Sequence, residues 1–322
     1  MHCKLLLGLA LAAVSLLTSA HAQTWPSKPI KLIVPFSAGG PTDQLSRYVG
    51  QKLGDALGQP VVLENVLGAG GAIALERAAK SPPDGYTLVT SANSLQAIAP
   101  HLGTLPYDTV TSFTPIGTLA AFPYAVIVRP TSPYNTLGEL VAAAKAKPAG
   151  VSAATPGAGT GTHLTAVLLA QRTGVTFNTV QYKGAAPIMN DIMGGHVDFT
   201  FEVLGSAMPI ITAGKAKAIA MTGIKRHPLL ANVPTVAETV PGFDFIGWFA
   251  IFGPANLPPE ITRRLNIELG KIHESDDFKK YLEARGYLTM PGTPADLARN
   301  VQTELVKWGD VIKALPPGAI GK

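Results

Sequence analysis

Apolar strand-like runs alternate with amphipathic helix-like segments along most of the chain, and this alternation constrains the fold more than any other feature. The apolar run at 30–36 is followed by a segment at 42–57 with apolar residues at helical spacing, which Gly58 ends. The same order recurs as far as the strand predicted over 216–222. Strands and helices in this order indicate parallel sheets covered by helices on both faces. We therefore expect an α/β fold.

The strands fall into two series, which predicts two lobes. A long apolar stretch at 116–128 leads into the second series, and a strand over 245–253 leads back to three helices that complete the first lobe. We expect residues 23–124 and 247–322 to form lobe 1 and residues 125–246 to form lobe 2, with two crossover segments. A cleft between such lobes is a natural ligand site, because strand carboxyl ends and helix amino ends face it from both sides.

The first 22 residues have the pattern of a secretory signal peptide. Lys4 precedes an apolar run at 5–17, and Ala20-His21-Ala22 forms a small-x-small cleavage site. The apolar run is short for a membrane helix, although an uncleaved anchor is the alternative. Cleavage leaves a chain that starts at Gln23 and lacks Cys3, the only cysteine. We therefore expect export to the periplasm, with neither disulfide nor thiol chemistry.

The charge of the chain is modest and dispersed. There are 26 Lys and Arg residues against 21 Asp and Glu residues, which gives a formal net charge of +5. The basic residues form no run longer than a pair such as Lys279-Lys280. Nucleic-acid binding requires a clustered basic stripe. The sequence therefore argues against a nucleic-acid partner and favours anionic partners only weakly.

Two glycine-rich junctions between a predicted strand and a predicted helix have the properties of anion-binding turns. We call 35–43 the first turn and 157–163 the second turn. Such turns present backbone N–H groups at the positive end of the helix dipole. The residues that offer donors are Ser37, Gly39, Gly40, Thr160 and Thr162. A third junction, at 68–71, is explained by turn formation alone.

None of these glycine runs matches a nucleotide-binding fingerprint. Ile73 replaces the third glycine after Gly68 and Gly70, and Thr162 stands where the last glycine of the dinucleotide pattern belongs. The P-loop pattern is absent from the sequence. A carboxylate needs only two to four donors, so it fits these turns better than a nucleotide does.

The sequence contains no recognised catalytic pattern. It lacks a Gly-x-Ser-x-Gly elbow, a Ser-x-x-Lys pair and a His-Glu-x-x-His motif. The histidines of the expected mature chain are not at metal-ligand spacing. We therefore expect no enzyme activity, no cofactor and no bound metal.

Three titratable residues are candidates for ligand contact, and each has a structural alternative. Asp43 lies beside the first turn, where the alternative is a helix-dipole contact or a pair with Arg47. His163 follows the second turn and can either donate to a ligand or cap the helix. Glu202 follows the strand predicted over 197–201 and should face the cleft, where it would favour an ammonium, amide or hydroxyl group. Its alternative is a partly buried salt bridge.

Short sequence blocks recur in a fixed order along the chain. They include Trp25-Pro26-Ser27-Lys28-Pro29-Ile30, the first turn, Asp84-Gly85-Tyr86-Thr87-Leu88, Gly194-Gly195-His196-Val197-Asp198 and Pro234-Thr235-Val236-Ala237-Glu238. In this order and at these intervals the blocks resemble the Bug family, the periplasmic solute receptors of tripartite tricarboxylate transporters. The resemblance covers essentially the whole expected mature chain.

The resemblance implies a two-lobed periplasmic binding protein fold, type II-like, that closes over a carboxylate in the cleft between the lobes. The ligand contacts that it implies are Phe36, Ser37, Gly39, Gly40, Ser91, Asn93, Gly159, Thr160, Thr162 and Ala185. Glu202 replaces an aspartate that is usual in the family, near the distal end of the ligand. We expect a monomer whose partners are a small organic carboxylate and either membrane transporter subunits or a sensor protein.

The sequence leaves three functions open. The leading hypothesis is a periplasmic solute-binding protein that captures a small organic carboxylate for a tripartite tricarboxylate-type transporter. A receptor with the same ligand that couples to a sensor, without a role in transport, is the second. An exported hydrolase that uses Ser37 or Glu202 is the third, although the sequence shows no adjacent base to activate a nucleophile.

Overall fold

The computed structural model describes residues 25–157, 159–182 and 184–315. The predicted signal peptide at 1–22 lies outside these residues. Within them the protein is an α/β molecule with two five-stranded sheets. No helix in this part of the chain is both long and apolar enough to cross a membrane.

Ten strands supply the two sheets in the described part of the chain. They are β1 (Ile30–Val34), β2 (Val61–Asn65), β3 (Thr87–Ala92), β4 (Phe113–Phe122), β5 (Tyr124–Val128), β6 (Ser152–Thr155), β7 (Asn178–Gln181), β8 (Phe199–Val203), β9 (Lys217–Met221) and β10 (Gly247–Pro254). The first sheet has the order β2-β1-β3-β10-β4, and the second has the order β7-β6-β8-β5-β9. β10 therefore returns to the first sheet after the second sheet is complete.

Helices pack against both sheets. They are α1 (Pro41–Leu57), α2 (Ala72–Ala79), α3 (Leu137–Ala146), α4 (Gly161–Thr173), α5 (Ala185–Gly194), α6 (Leu204–Thr212), α7 (Val236–Thr239), α8 (Pro259–Glu274), α9 (Asp276–Glu283) and α10 (Pro294–Lys313). After β3 the chain forms a π-helical turn at Ser94–Ile98 and a 3₁₀ turn at Ala99–His101. The α-helical hydrogen bonds cannot continue there, because Pro100 has no N–H.

Both sheets are mixed, whereas the sequence predicted parallel sheets, so that part of the prediction is wrong although the α/β class is correct. β5 runs antiparallel to β8 and β9, and β10 runs antiparallel to β3 and β4. The reason lies in the crossings between the sheets. Only Pro123 separates β4 from β5, so β5 starts at the edge where β4 has just ended. β5 therefore runs away from this edge. Its neighbour β8 ends at the same edge, so the two strands are antiparallel.

Aromatic side chains join the two crossings into one apolar cluster. Tyr124, which begins β5, stacks on Phe245, which precedes β10, with ring centroids 5.2 Å apart and planes 10° apart. Phe245 also meets the edge of Trp308 on α10, at 5.0 Å between centroids. Phe245 and Trp308 are fully buried, and Tyr124 is nearly so. Burying one such side chain contributes about 1.5–3 kcal/mol, so the cluster holds the two crossings together.

We call the half of the molecule built on the first sheet lobe 1 and the half built on the second sheet lobe 2. The residue boundaries of the lobes stay a prediction. Beside the first crossing the lobes touch through their backbones, because Gly205 at the start of α6 lies against the carbonyl group of Arg285. A Cβ atom at position 205 would clash with that carbonyl oxygen. The segment that contains Arg285 is fixed to lobe 1 by a bridge from Leu288 to Ala121 in β4.

Candidate ligand-binding site

The carboxyl ends of the parallel strands in the two sheets face each other across the first crossing. β1 is parallel to β3, and β6 is parallel to β8. β4 runs the same way as β3, since both are antiparallel to β10. β4 ends at Phe122, and Tyr124 begins β5 opposite Val203, the last residue of β8. The first turn follows β1 and the second turn follows β6, so both turns lie at this junction, which we call the cleft.

The first turn is closed by a carboxylate of the chain itself. Asp43 is 1% exposed, and its oxygens accept hydrogen bonds from the Gly39 N–H at 2.8 Å and from Asn65 Nδ2 at 2.9 Å. The Arg47 guanidinium donates two more, at 2.8 and 2.9 Å. Burial opposes the charge, but these hydrogen bonds outweigh burial and hold the pKa of Asp43 below its usual value. The structural alternative for Asp43, a pair with Arg47, is therefore present.

The glycine N–H groups of the first turn have partners within the turn. The Gly39 N–H donates to Asp43, and the Gly40 N–H donates to the Ser37 carbonyl oxygen at 3.2 Å. The expectation that these glycines present free N–H groups is therefore wrong for this arrangement. The Ser37 side chain is exposed and Phe36 is half-buried. Contact between these residues and a ligand stays a prediction.

The second turn is held by a neutral histidine. His163 is fully buried, and its Nδ1 accepts the Gly159 N–H at 3.1 Å. An Nδ1 atom that accepts leaves the ring hydrogen on Nε2. Burial lowers the pKa of His163, which keeps the ring neutral around pH 7. Nε2 has no acceptor among the described residues, so His163 offers one buried donor.

The two threonines of the second turn have different local roles. The Thr160 hydroxyl donates to the Gly157 carbonyl oxygen at 2.8 Å and accepts the His163 N–H at 3.3 Å. Thr160 is therefore the N-cap of α4. Thr162 is buried in the first turn of α4. The hydroxyl of Thr160 thus fixes the start of the helix before any ligand is considered.

Four buried side chains around the cleft have a polar atom without a hydrogen-bond partner in the described part of the chain. Ser91 Oγ and Asn93 Nδ2 lie at the carboxyl end of β3, Thr155 Oγ1 ends β6, and His163 Nε2 lies on α4. A buried polar group without a partner costs about 1–3 kcal/mol. This cost is avoided if a bound ligand or water supplies the missing hydrogen-bond partner. The four residues come from both lobes, and each lies at or after the carboxyl end of a strand that ends at the cleft.

The chain is similar to known proteins in both sequence and fold. The family described as "Tripartite tricarboxylate transporter family receptor" matches residues 45–316. The chain belongs to this family. The protein BugT of Bordetella pertussis is 32% identical over 310 residues, which are 95% of this chain and 95% of BugT. The resemblance to the Bug family found in the sequence is confirmed.

Solved structures of similar proteins confirm the fold of this family member. Rpa4515 of R. palustris, solved with adipate, has a TM-score of 0.82 and 34% identity, over 90% of this chain and 97% of its own. MatC from Rhodopseudomonas palustris, with bound malate, has a TM-score of 0.79 and 30% identity, over 89% and 100%. The periplasmic binding protein BugD has a TM-score of 0.78 and 33% identity, over 90% and 98%. The two-lobed α/β prediction is therefore correct.

Glu202 in this family member is a buried carboxyl in the second-to-last position of β8. It is 6% exposed, and it pairs in register with Ala125 beside Tyr124. Burial raises the pKa of Glu202 to about 7, against a hydrogen bond from the Val203 N–H at 3.1 Å. No ion pair within the described residues involves Glu202, so the salt-bridge alternative has no partner there. The carboxyl can act as a donor when protonated and as an acceptor when ionised.

The remaining predicted contacts lie in lobe 2. Gly159 touches the side chain of Leu102 from lobe 1, so the second turn reaches across the cleft. Ala185 is the first residue of α5, the helix after β7. No three His, Cys, Asp or Glu side chains of the described residues are grouped as a metal site.

Three residues that the sequence analysis did not single out also belong to this region. Asn65 donates to both Asp43 and the Phe36 carbonyl oxygen, at 2.9 and 2.8 Å, and so holds the first turn. The Tyr124 hydroxyl lies against Gly161 at the start of α4. Thr155 ends β6 with its hydroxyl unpartnered in the described residues. Only Asn65 had a sequence signal, since it forms a polar pair with Glu64 directly after the apolar residues 61–63.

Proposed function

We propose that this protein is a periplasmic solute-binding receptor that captures a small organic carboxylate and delivers it to a tripartite tricarboxylate-type transporter. The observation that carries the proposal is the set of four buried polar atoms, at Ser91, Asn93, Thr155 and His163, that have no hydrogen-bond partner among the described residues. A ligand with several acceptor oxygens would give these atoms partners. Family membership and the adipate and malate held by two similar proteins support a carboxylate.

The chemistry of the four groups favours an anion over a cation. The hydroxyls of Ser91 and Thr155, the Asn93 Nδ2 and the His163 Nε2 can all donate a hydrogen bond. His163 also lies in the first turn of α4, where the helix dipole favours negative charge. Neutral donors with a helix end can hold a carboxylate without a buried counter-ion. Such a site binds reversibly, as a receptor that releases its ligand requires.

The division of the donors between the lobes supports a closing mechanism. Ser91 and Asn93 come from lobe 1, whereas Thr155 and His163 come from lobe 2. A ligand that contacts both sets has more partners when the lobes are together than when they are apart. It therefore favours the closed arrangement by its difference in affinity for the two states. The signal-peptide pattern supports delivery from the periplasm.

The proposal is tested by a ligand panel on protein that has been unfolded and refolded to remove any bound molecule. The panel contains malate, adipate, citrate and hexanoate, with hexylamine as a cationic control. We expect at least one acid to raise the melting temperature by several degrees, because a ligand that binds only the folded state stabilises it. Mass spectrometry of the molecule released on the first unfolding identifies the natural ligand. The proposal fails if no acid stabilises the protein and no acid is released.

A further inference from the structure

A second group of buried polar side chains lies behind Asn93 in lobe 1. Glu304 on α10 is 8% exposed, and its carboxyl is adjacent to the side chains of Asn93 and Trp248. None of the three makes a hydrogen bond of standard geometry through Glu304 Oε2, Asn93 Nδ2 or Trp248 Nε1 within the described residues. Both amide atoms of the nearby Gln96 are buried and have no hydrogen-bond partner among the residues that the structure describes. The three side chains Asn93, Trp248 and Glu304 form what we call the lobe 1 cluster.

The fold brings the lobe 1 cluster to the cleft and not to a remote part of the core. Asn93 follows β3 and precedes the π-helical turn Ser94–Ile98, against which α10 packs. Trp248 is the second residue of β10, at the edge where the chain returns to lobe 1. Single π-helical turns are rare and frequently mark functional sites. The cluster therefore lies directly behind one of the four donors that carry the proposed function.

We propose that Glu304 is a positioning residue of the carboxylate site, which acts by setting the orientation of the Asn93 side-chain amide. This inference rests on the proposed function. An ionised Glu304 only accepts hydrogen bonds, so it turns Nδ2 of Asn93 toward itself and leaves Oδ1 to face the cleft. A protonated Glu304 accepts the Trp248 Nε1 hydrogen with its carbonyl oxygen and donates its O–H to Asn93 Oδ1, which leaves the Nδ2 hydrogens for a ligand carboxylate. Glu304 thus decides whether Asn93 attracts or repels the ligand.

The surroundings of Glu304 allow it to change protonation state near neutral pH. Burial, with a smaller contribution from the negative charge of Asp244, raises the pKa of Glu304 to about 7. Lys307, Asn93 and Trp248 favour the ionised carboxylate and so lower the pKa in part. Two other titratable groups lie near Glu304. His101 hydrogen-bonds the Leu305 carbonyl oxygen, and Tyr124 interacts electrostatically with both Glu304 and Glu202. Carboxylate binding is therefore expected to be strong below about pH 7 and to weaken above it, by at most about tenfold per pH unit.

The first test is calorimetry with malate and adipate between about pH 6 and about pH 9, where simple carboxylates stay ionised. We expect the affinity of the wild type to fall as the pH rises. Glu304→Gln can donate to Asn93 at every pH, so above about pH 7 it should bind more tightly than the wild type and with a smaller pH slope, of which Glu202 supplies the remainder. The matched control is Glu268→Gln, a buried carboxyl on α8 that pairs with Arg264 and Lys271. This control should keep the slope of the wild type.

The second test needs no ligand. Ionisation of Glu304 changes the environment of the adjacent Trp248 indole, so the fluorescence of the free protein should show a transition near pH 7. Trp248→Phe should remove this transition if the assignment to that indole is correct, and Glu304→Gln should remove it as well. A transition that persists in Glu304→Gln, or an unchanged pH slope of binding in that variant, overturns the inference. Failure of every acid to bind the wild type contradicts the proposed function. The fluorescence titration then still tests whether Glu304 ionises near pH 7 beside Trp248.

Discussion

The first and second turns share a local pattern but differ in charge. In each, the N–H of a glycine is taken by the side chain four residues later, from Gly39 to Asp43 and from Gly159 to His163. Asp43 is an anion held by Arg47 and Asn65. His163 is neutral, and its Nε2 hydrogen is unused among the described residues. The first helix end is thus already neutralised by the chain, whereas the second still favours an incoming anion.

The comparison explains why glycine spacing alone does not identify an anion site. Both turns offer glycines before a helix, and both helices have a positive end. The residue four positions after the glycine determines whether the helix end already carries a negative charge, as with Asp43, or does not, as with His163. We therefore expect the ligand carboxylate to bind at the second turn. The first turn should form part of the wall of the cleft.

The strongest way to break the comparison is to give the second turn the charge of the first. His163→Asp places a carboxylate at the start of α4, where it competes with the ligand for the same helix end. We expect the affinity for the acid identified in the panel to fall by at least about a hundredfold, or about 2.7 kcal/mol, measured by calorimetry. His163→Asn keeps an acceptor and a donor without charge and should lose far less. Equal binding by the Asp and Asn variants would contradict the assignment.

Removal of the acid from the first turn should affect stability more than binding. Asp43→Ala leaves Gly39, Arg47 and Asn65 without their shared acceptor, and we expect a loss of about 2–3 kcal/mol in the free energy of unfolding. Urea denaturation measures this loss. The matched control is Lys80→Ala, which breaks an exposed i,i+4 pair with Glu76 and should cost under about 1 kcal/mol. If the two variants lose the same stability, Asp43 does not organise the turn.

The neutral state of His163 predicts a pH dependence of stability. Its pKa is lowered in the folded protein, so below about pH 6.5 the unfolded chain binds more protons than the folded chain. Stability from this group is complete above that pH and is lost as the pH falls. His227 and His273 are shifted in the same direction, so the informative quantity is the difference between the wild type and His163→Asn. An identical decline in both proteins would mean that His163 is charged in the fold.

The smallest expected effects separate capping from ligand contact. Thr160→Ala removes the N-cap of α4 and should cost about 1 kcal/mol of stability. Ser37→Ala removes an exposed hydroxyl in the turn where Gly40 caps α1 without a side chain, and should change stability by under about 0.5 kcal/mol. Thermal unfolding measures both, and calorimetry measures their effect on binding. A Ser37 variant that loses stability but not affinity would remove Ser37 from the predicted contacts.

The local spacing of apolar residues predicted much of the fold. It did not predict which polar side chains lie together. The apolar spacing located α1, predicted over 42–57 and found at Pro41–Leu57, because a helix of this kind depends on neighbouring residues, and the two series of strands predicted two lobes. The antiparallel β5 and β10 depend on the edge at which each strand enters its sheet. Asp43 bonds to Asn65, and Asn93 lies beside Glu304; in both cases the two residues are distant in sequence and meet only after packing.

The contact between Gly205 and Arg285 limits the angle at which the two halves of the molecule can rest. Any larger residue at position 205 would act as a wedge, since its first side-chain carbon meets a backbone oxygen that cannot rotate away. Such a wedge would push the halves apart at this point, and under the proposed closing mechanism it would change how much rotation a ligand must drive. The rest angle of the receptor is therefore adjustable at a position that carries no ligand donor.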